Sequence, residues 1–136
     1  MTTDQEWMKM NDNLHDHFTH VERAYLGTGI GWYNLIYTLT NCIDRRLEHL
    51  NKDGGNRKVI IAQIKEKFGG LRYYADGDID EQMDGMIDFA ESLSYTICEE
   101  CGAPGKLRSG GWMRTLCDKH EEERQSRYKE MNLERL

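Results

Sequence analysis

Apolar residues recur at helical spacing in three stretches of the chain and alternate in a fourth. Trp7, Met10, Leu14, Phe18, Val21 and Tyr25 form a stripe at steps of three and four, predicting a helix over 5–25. Trp32, Leu35, Ile36, Leu39, Ile43, Leu47 and Leu50 form a second stripe, ending near Asn51 before the turn residues Asp53-Gly-Gly-Asn56. Ile79, Met83, Met86, Ile87, Ala90, Leu93 and Ile97 form the third, with Asp78 and Glu81 spaced as a capping box. Between the last two, Lys58 to Phe68 is β-branched and partly alternating. Gly69-Gly70 interrupts it, and Leu71 to Ala75 resumes the extended pattern, which predicts a β-hairpin. A final helix over 118–135 is mostly charged, with only Tyr128, Met131, Leu133 and Leu136 apolar.

The glycine run Gly27-Thr-Gly-Ile-Gly31 precedes the second helix, as a phosphate-cradling loop would. It lacks the Lys-Ser/Thr of a P-loop and no strand is predicted before it, so it reads as a flexible turn. Together the elements predict an α+β fold, with helices packed on a small β-hairpin or sheet. Residues 1–97 form the α+β part; 98–136 form a finger and C-terminal helix packed with it as one unit.

The finger follows from the cysteines. Cys98-x-x-Cys101 and Cys117-x-x-His120 are separated by fifteen residues, a spacing at which two tight turns each present two zinc ligands. Gly102 suits a knuckle that needs positive φ, Gly110-Gly111 a hairpin tip, and a helix starting near Cys117 would carry the second pair. Knuckle, hairpin and ligand-bearing helix start are the parts of a treble-clef-like Cys3His finger, in which four protein ligands close the shell of a structural Zn2+. A redox pair would want a βαβ context and leaves the second ligand pair unexplained. A deaminase reading of His120-Glu-Glu122 fails on motif order. Cys42 reads as a small buried hydrophobe. His15, His17 and His20 lie beside the first stripe as solvated residues, with His17 and His20 able to share a face.

Composition narrows the function. The chain has 136 residues, a net charge of −6, and neither a bilayer-spanning run nor a signal-peptide-like N-terminus. Thiolate ligands favour the cytoplasm. Residues 76–100 hold nine acids and no lysine or arginine, whereas 57–75 and 101–120 are net basic. That is not the profile of a dedicated DNA-binding domain. Lys65, Lys67 and Arg72 beside Phe68, Tyr73 and Tyr74, and Lys106, Arg108, Trp112 and Arg114 on the finger, are candidate partner or nucleic-acid contacts. Asp80, Glu81, Asp84, Asp88 and Glu91 form an acidic helix face that is solvated or meets a basic partner. No catalytic constellation is recognised, so an enzyme is not expected.

Lys65-Glu-Lys-Phe-Gly-Gly-Leu-Arg-Tyr-Tyr74, Gly31-Trp-Tyr33, Met86 to Ser94, Cys98-x-x-Cys-Gly-Ala-Pro-Gly105 and Trp112-x-x-Thr-Leu-Cys-x-x-His120 together resemble a family of small, mostly uncharacterised proteins of bacteriophages and bacterial chromosomes. The resemblance covers about residues 29–120. It implies binding a bacterial host protein, counteracting a host defence, or regulating transcription, and carries no residue roles. The expectation is a zinc-stabilised interaction protein; the alternative is a nucleic-acid-binding regulator using the basic finger hairpin.

Overall fold

A computed structural model of the protein describes residues 26–134, strand positions 21–23, and helical positions 5, 9, 10 and 12. The remainder of the predicted first helix, including Trp7, Leu14, Phe18, Tyr25, His15, His17 and His20, lies outside the described residues. Its predicted end is corrected: Val21–Arg23 is a strand, β1, not helix.

β1 and β2 (Leu26–Gly27) both run parallel to β3 (Val59–Lys67), pairing Val21 with Val59 and Leu26 with Ile64. Both pairings have the same offset to β3, so β1 and β2 lie along the same side of it in one register. A 3-10 turn (Ile30–Trp32) and helix α1 (Tyr33–Asn51) cross from β2 to β3. On the other side of β3 lies antiparallel β4 (Gly70–Gly77), which leads to α2 (Glu81–Ser94). A second sheet pairs β5 (Lys106–Arg108) with β6 (Arg114–Leu116), followed by α3 (Asp118–Glu134). The mixed α+β organisation expected from the pattern is thus present as three helices and two small sheets among the described residues, with a parallel edge the pattern did not announce.

α1 forms where the second stripe predicts it. Ile36, Leu39, Ile43 and Leu47 face the core with Trp32, joined by Leu26, Val59, Ile61, Ile64, Leu71, Tyr73, Met83 and Ala90. The alternation of β3 is only partial because its register shifts between Ile61 and Gln63: this bulge moves the inward phase from Val59 and Ile61 to Ile64. Thr40 Oγ1 donates to the Ile36 carbonyl (2.8 Å) and receives the Tyr73 hydroxyl (2.8 Å), so the polar pair inside the core is satisfied. Cys42 is half-buried and not a core residue: it lines an open cleft between α1 and α2 together with Arg45, Arg46, His49, Gln82 and Met86.

α2 covers the outer edge of β4. Ser94 Oγ and Glu91 Oε2 accept the otherwise exposed Leu71 and Tyr73 amides, both at 2.9 Å. Ser94 is therefore fully buried, while Leu93, expected in the stripe, is 36% exposed. The cap is Asp80 and not Asp78: Asp80 Oδ1 accepts the Met83 amide at 2.9 Å. That hydrogen bond and the Arg46 guanidinium hold the Asp80 carboxyl below its ordinary range. Asp78 instead accepts the Lys58 amide and closes the far end of the β3–β4 ribbon.

The glycine run is neither a phosphate loop nor a flexible turn. It is pressed against the cysteine knuckle. Gly31 N–H donates to the Glu99 carbonyl (2.7 Å), Gly29 N–H to Glu99 Oε2 (2.9 Å), and Trp32 Nε1 to the Ile97 carbonyl (2.9 Å). A Cβ on Gly31 would lie 2.2 Å from the Cys98 carbonyl oxygen, and one on Gly29 2.5 Å from that of Glu99. Replacing Gly31 by Ala should therefore destabilise the protein by about 1–3 kcal/mol, the range for overpacking. Gly85→Ala, on a helix face with open space, should stabilise it by about 0.5–1 kcal/mol. Denaturant titration of the metal-loaded variants measures both, and equal effects at the two positions would refute the close-approach role.

Candidate metal centre

The knuckle is shaped by its own backbone. Gly102 takes φ +81°, its amide donates to the Cys98 carbonyl (2.8 Å), and the Cys98 amide donates to the Ala103 carbonyl (2.7 Å). These bonds turn Cys98 and Cys101 toward each other. The second pair sits at the start of α3, with Cys117 just before its first residue and His120 in its first turn; the Glu121 amide donates to the Cys117 carbonyl (2.9 Å). The helix N-terminus favours negative charge at that point. The His120 backbone amide, chiefly, pulls the Cys117 thiol down to about 7.

The four side chains converge. The donor atoms of Cys98, Cys101, Cys117 and His120 all lie within 4.8 Å of one another. Cys101 Sγ is 3.8 Å from Cys117 Sγ, and His120 Nδ1 lies 3.2 Å from Cys117 Sγ and 3.6 Å from Cys98 Sγ. A tetrahedral ion with sulfur ligands at about 2.3 Å needs sulfur–sulfur edges of about 3.8 Å. The cluster fits a single metal ion, with all four corners supplied by the chain. Three sulfurs and an imidazole suit a borderline-soft cation, not calcium or magnesium.

The imidazole is oriented from outside. With Nδ1 turned to the thiols, Nε2 faces Glu100 Oε2 at 3.5 Å and Glu123 Oε2 at 3.9 Å. A carboxylate on the far nitrogen keeps the proton there and leaves the Nδ1 lone pair for a metal. Glu100 is itself held by Arg114 Nη1 at 2.9 Å. Arg114 Nη2 also lies 3.6 Å from Glu99 Oε1, a buried oxygen with no hydrogen bond among the described residues. Burial raises the Glu99 pKa, against the Gly29 amide and Arg114, which lower it.

The other candidate residues divide into spent and exposed groups. Arg108 is spent: it donates to the Leu116 carbonyl and to Asp118 Oδ1 (2.8 Å). Arg114 is committed to Glu99 and Glu100, as above. Arg72 donates to the Leu71 carbonyl and the Tyr95 hydroxyl. Lys65 and Lys67 lie over the rings of Tyr74 and Phe68, at 5.8 and 5.6 Å, and the strand residue Lys106 is exposed. Trp112 is 71% exposed. On the acidic helix, Asp80 and Glu91 are engaged by the cap and by the β4 edge, which leaves Glu81, Asp84 and Asp88 exposed.

Two contributors carry no motif in the sequence. Arg124, in a run of charged residues, is 3% exposed; it donates to the Trp112 carbonyl, pairs with Glu121 (3.1 Å) and lies over Tyr128. Thr115 is buried, and its hydroxyl donates to the Gly69 carbonyl (2.7 Å), joining the finger hairpin to the β3–β4 turn. The i, i+3 spacing of Glu121 and Arg124 is the one signal for the first, and it is common on solvated helices. No protein-family model, curated protein or solved structure matches this chain. Among the described residues, no helix is long and apolar enough to cross a membrane.

Cys101→Ser should abolish unit metal stoichiometry, measured by elemental mass spectrometry, and lower the unfolding midpoint of the whole chain; Cys42→Ser should do neither. Retention of one tightly bound ion by the Cys101 variant would overturn the ligand set. Glu100→Gln should keep the metal but weaken its affinity by about tenfold or more, the usual effect of losing an outer-shell carboxylate. Competition with a chromogenic chelator measures it.

Proposed function

We propose that the protein is a zinc-stapled interaction module that binds a partner protein, in keeping with the bacterial host target implied by the family resemblance. Zinc is the ion that three thiolates and one imidazole in a closed tetrahedral set suit best, and a closed shell gives it a structural role. The knuckle, β5–β6 hairpin and α3 follow in treble-clef order. A thiolate-rich ligand set is in keeping with a reducing, cytoplasmic working compartment.

The observation that carries the binding role is the exposure of two large aromatics, Phe68 at 63% and Trp112 at 71%, on adjoining hairpin tips tied together by Thr115 and Gly69. Rigidly held exposed aromatics are the usual anchors of protein interfaces. The nucleic-acid alternative draws support from the Lys65–Tyr74 and Lys67–Phe68 stacks. It is the weaker reading, since Arg108 and Arg114 are neutralised by carboxylates of the finger itself.

The test is capture of the tagged, zinc-loaded protein from bacterial lysate with and without nuclease, followed by reconstitution with the purified partner. A single protein bound in both arms, at unit stoichiometry on reconstitution, is the expected result. Recovery that disappears with nuclease would transfer the function to nucleic acid.

A further inference from the structure

We propose that the cleft between the β3–β4 turn and the tip of the β5–β6 hairpin is the docking site, and that its occupant is a peptide segment of the partner carrying one bulky apolar side chain flanked by carboxylates. The proposal rests on the protein-binding role above and names the surface and the chemistry of what binds there.

The first observation is a conformational cost that burial does not offset. Lys67 pairs with Gly70, so Phe68-Gly69 is a two-residue turn, and both residues have positive φ, +54° and +84°. Such a turn favours Asn-Gly, Asp-Gly or Gly-Gly. A phenylalanine in the left-handed region is strained where glycine is not, because its Cβ crowds the following carbonyl oxygen. Burial does not offset this, because the ring remains 63% exposed. Among the described residues Phe68 is the only one other than glycine with positive φ. Strain of this kind, where a better turn residue is available, points to a use for the side chain.

The second observation is the cleft itself. Phe68 and Trp112 flank a space of about 470 Å³, with Lys67, Gly111 and Met113 among its walls. That volume lies within the range of small-ligand pockets and admits a leucine or an aromatic ring. Both walls are held: Thr115 binds the Gly69 carbonyl, and buried Arg124 binds that of Trp112.

Charge decides the occupant. Lys65 and Lys67 make no ion pair with any described residue, whereas Arg108, Arg114 and Arg124 each do. The acid in the cleft wall, Glu66, accepts the Gly69 amide at 2.8 Å and keeps its charge, so the acceptance of acidic flanks rests on Lys67 and on Lys65 further along the same strand. The cleft therefore offers an apolar socket with Lys67, which has no carboxylate partner among the described residues, in its wall. Carboxylates flanking an apolar anchor complement it. A nucleic acid would need a longer cationic track, and the finger arginines that would supply it are already paired.

The test uses an array of short peptides whose central residue is Leu, Phe or Trp and whose flanks are acidic, basic or Ser/Gly, probed with the zinc-loaded full chain. The expected result is preferential binding to the acidic-flanked peptides, weakened about tenfold or more by Trp112→Ala and by Phe68→Gly. Phe68→Gly should at the same time raise the unfolding midpoint, which separates lost contact from lost fold. Lys67→Glu should move the preference away from acidic flanks, and Phe89→Ala, removing an exposed aromatic on α2, should change nothing. Equal binding by wild type and the Phe68 and Trp112 variants would overturn the proposal, as would preference for basic flanks or binding of oligothymidine in place of every peptide. If a partner is captured from lysate equally by wild type and by Phe68→Gly/Trp112→Ala, the interaction role stands and the cleft fails; loss of both together would remove the role itself.

Discussion

The structure depends on one backbone-to-backbone approach: Gly29 and Gly31 lying directly on Cys98 and Glu99. The Gly31–Glu99 hydrogen bond and the Trp32–Ile97 hydrogen bond fasten the entry of α1 to the knuckle, and neither is possible if a side chain stands between the two strands of chain. Trp32 is wholly buried and begins the helix that fills the core. The position of α1 and the shape of the metal centre are therefore fixed by the same contact. A metal held by the knuckle and α3 would constrain the chain through it, well beyond the residues that supply ligands.

How much of this was legible follows from the range of each interaction. α1, the β3–β4 ribbon and the convergence of Cys98, Cys101, Cys117 and His120 rest on periodicity and short spacing, and the sequence displays both. β1 and β2 escaped because each is only two or three residues long and its pairing partner, β3, is reached after the whole of α1. The glycine run looked like a loose turn because its reason for being glycine lies some seventy residues away. Asp78 and Asp80 compete for the cap on equal local terms, and only the position of Arg46 on α1 and the Lys58 amide just before β3 assigns them.

Charge was the most misleading signal. The acidic stretch before the finger and the basic residues within it look like separate surfaces when read along the chain. In three dimensions much of this charge is internal wiring. Glu99 and Glu100 take Arg114, Asp118 and Glu121 take Arg108, and Glu91 serves a strand edge. The finger thus spends its arginines on holding its own carboxylates, one of which orients His120. What remains at the surface is a smaller and differently placed set of charges than composition suggested.

The seventy-residue separation of Gly29 from Glu99 also bears on how the protein is made. A ribosome releases the chain from its N-terminal end. The strand, glycine run and core helix therefore emerge while their docking partner is still unsynthesised, and the second ligand pair follows later still. A nascent chain ending before Ile97 carries an uncovered Trp32 region, and one ending before Cys117 holds only half of the candidate metal site. Completion of the fold thus waits for residues 97–99 to dock on the glycine run, and completion of the ligand set waits for His120.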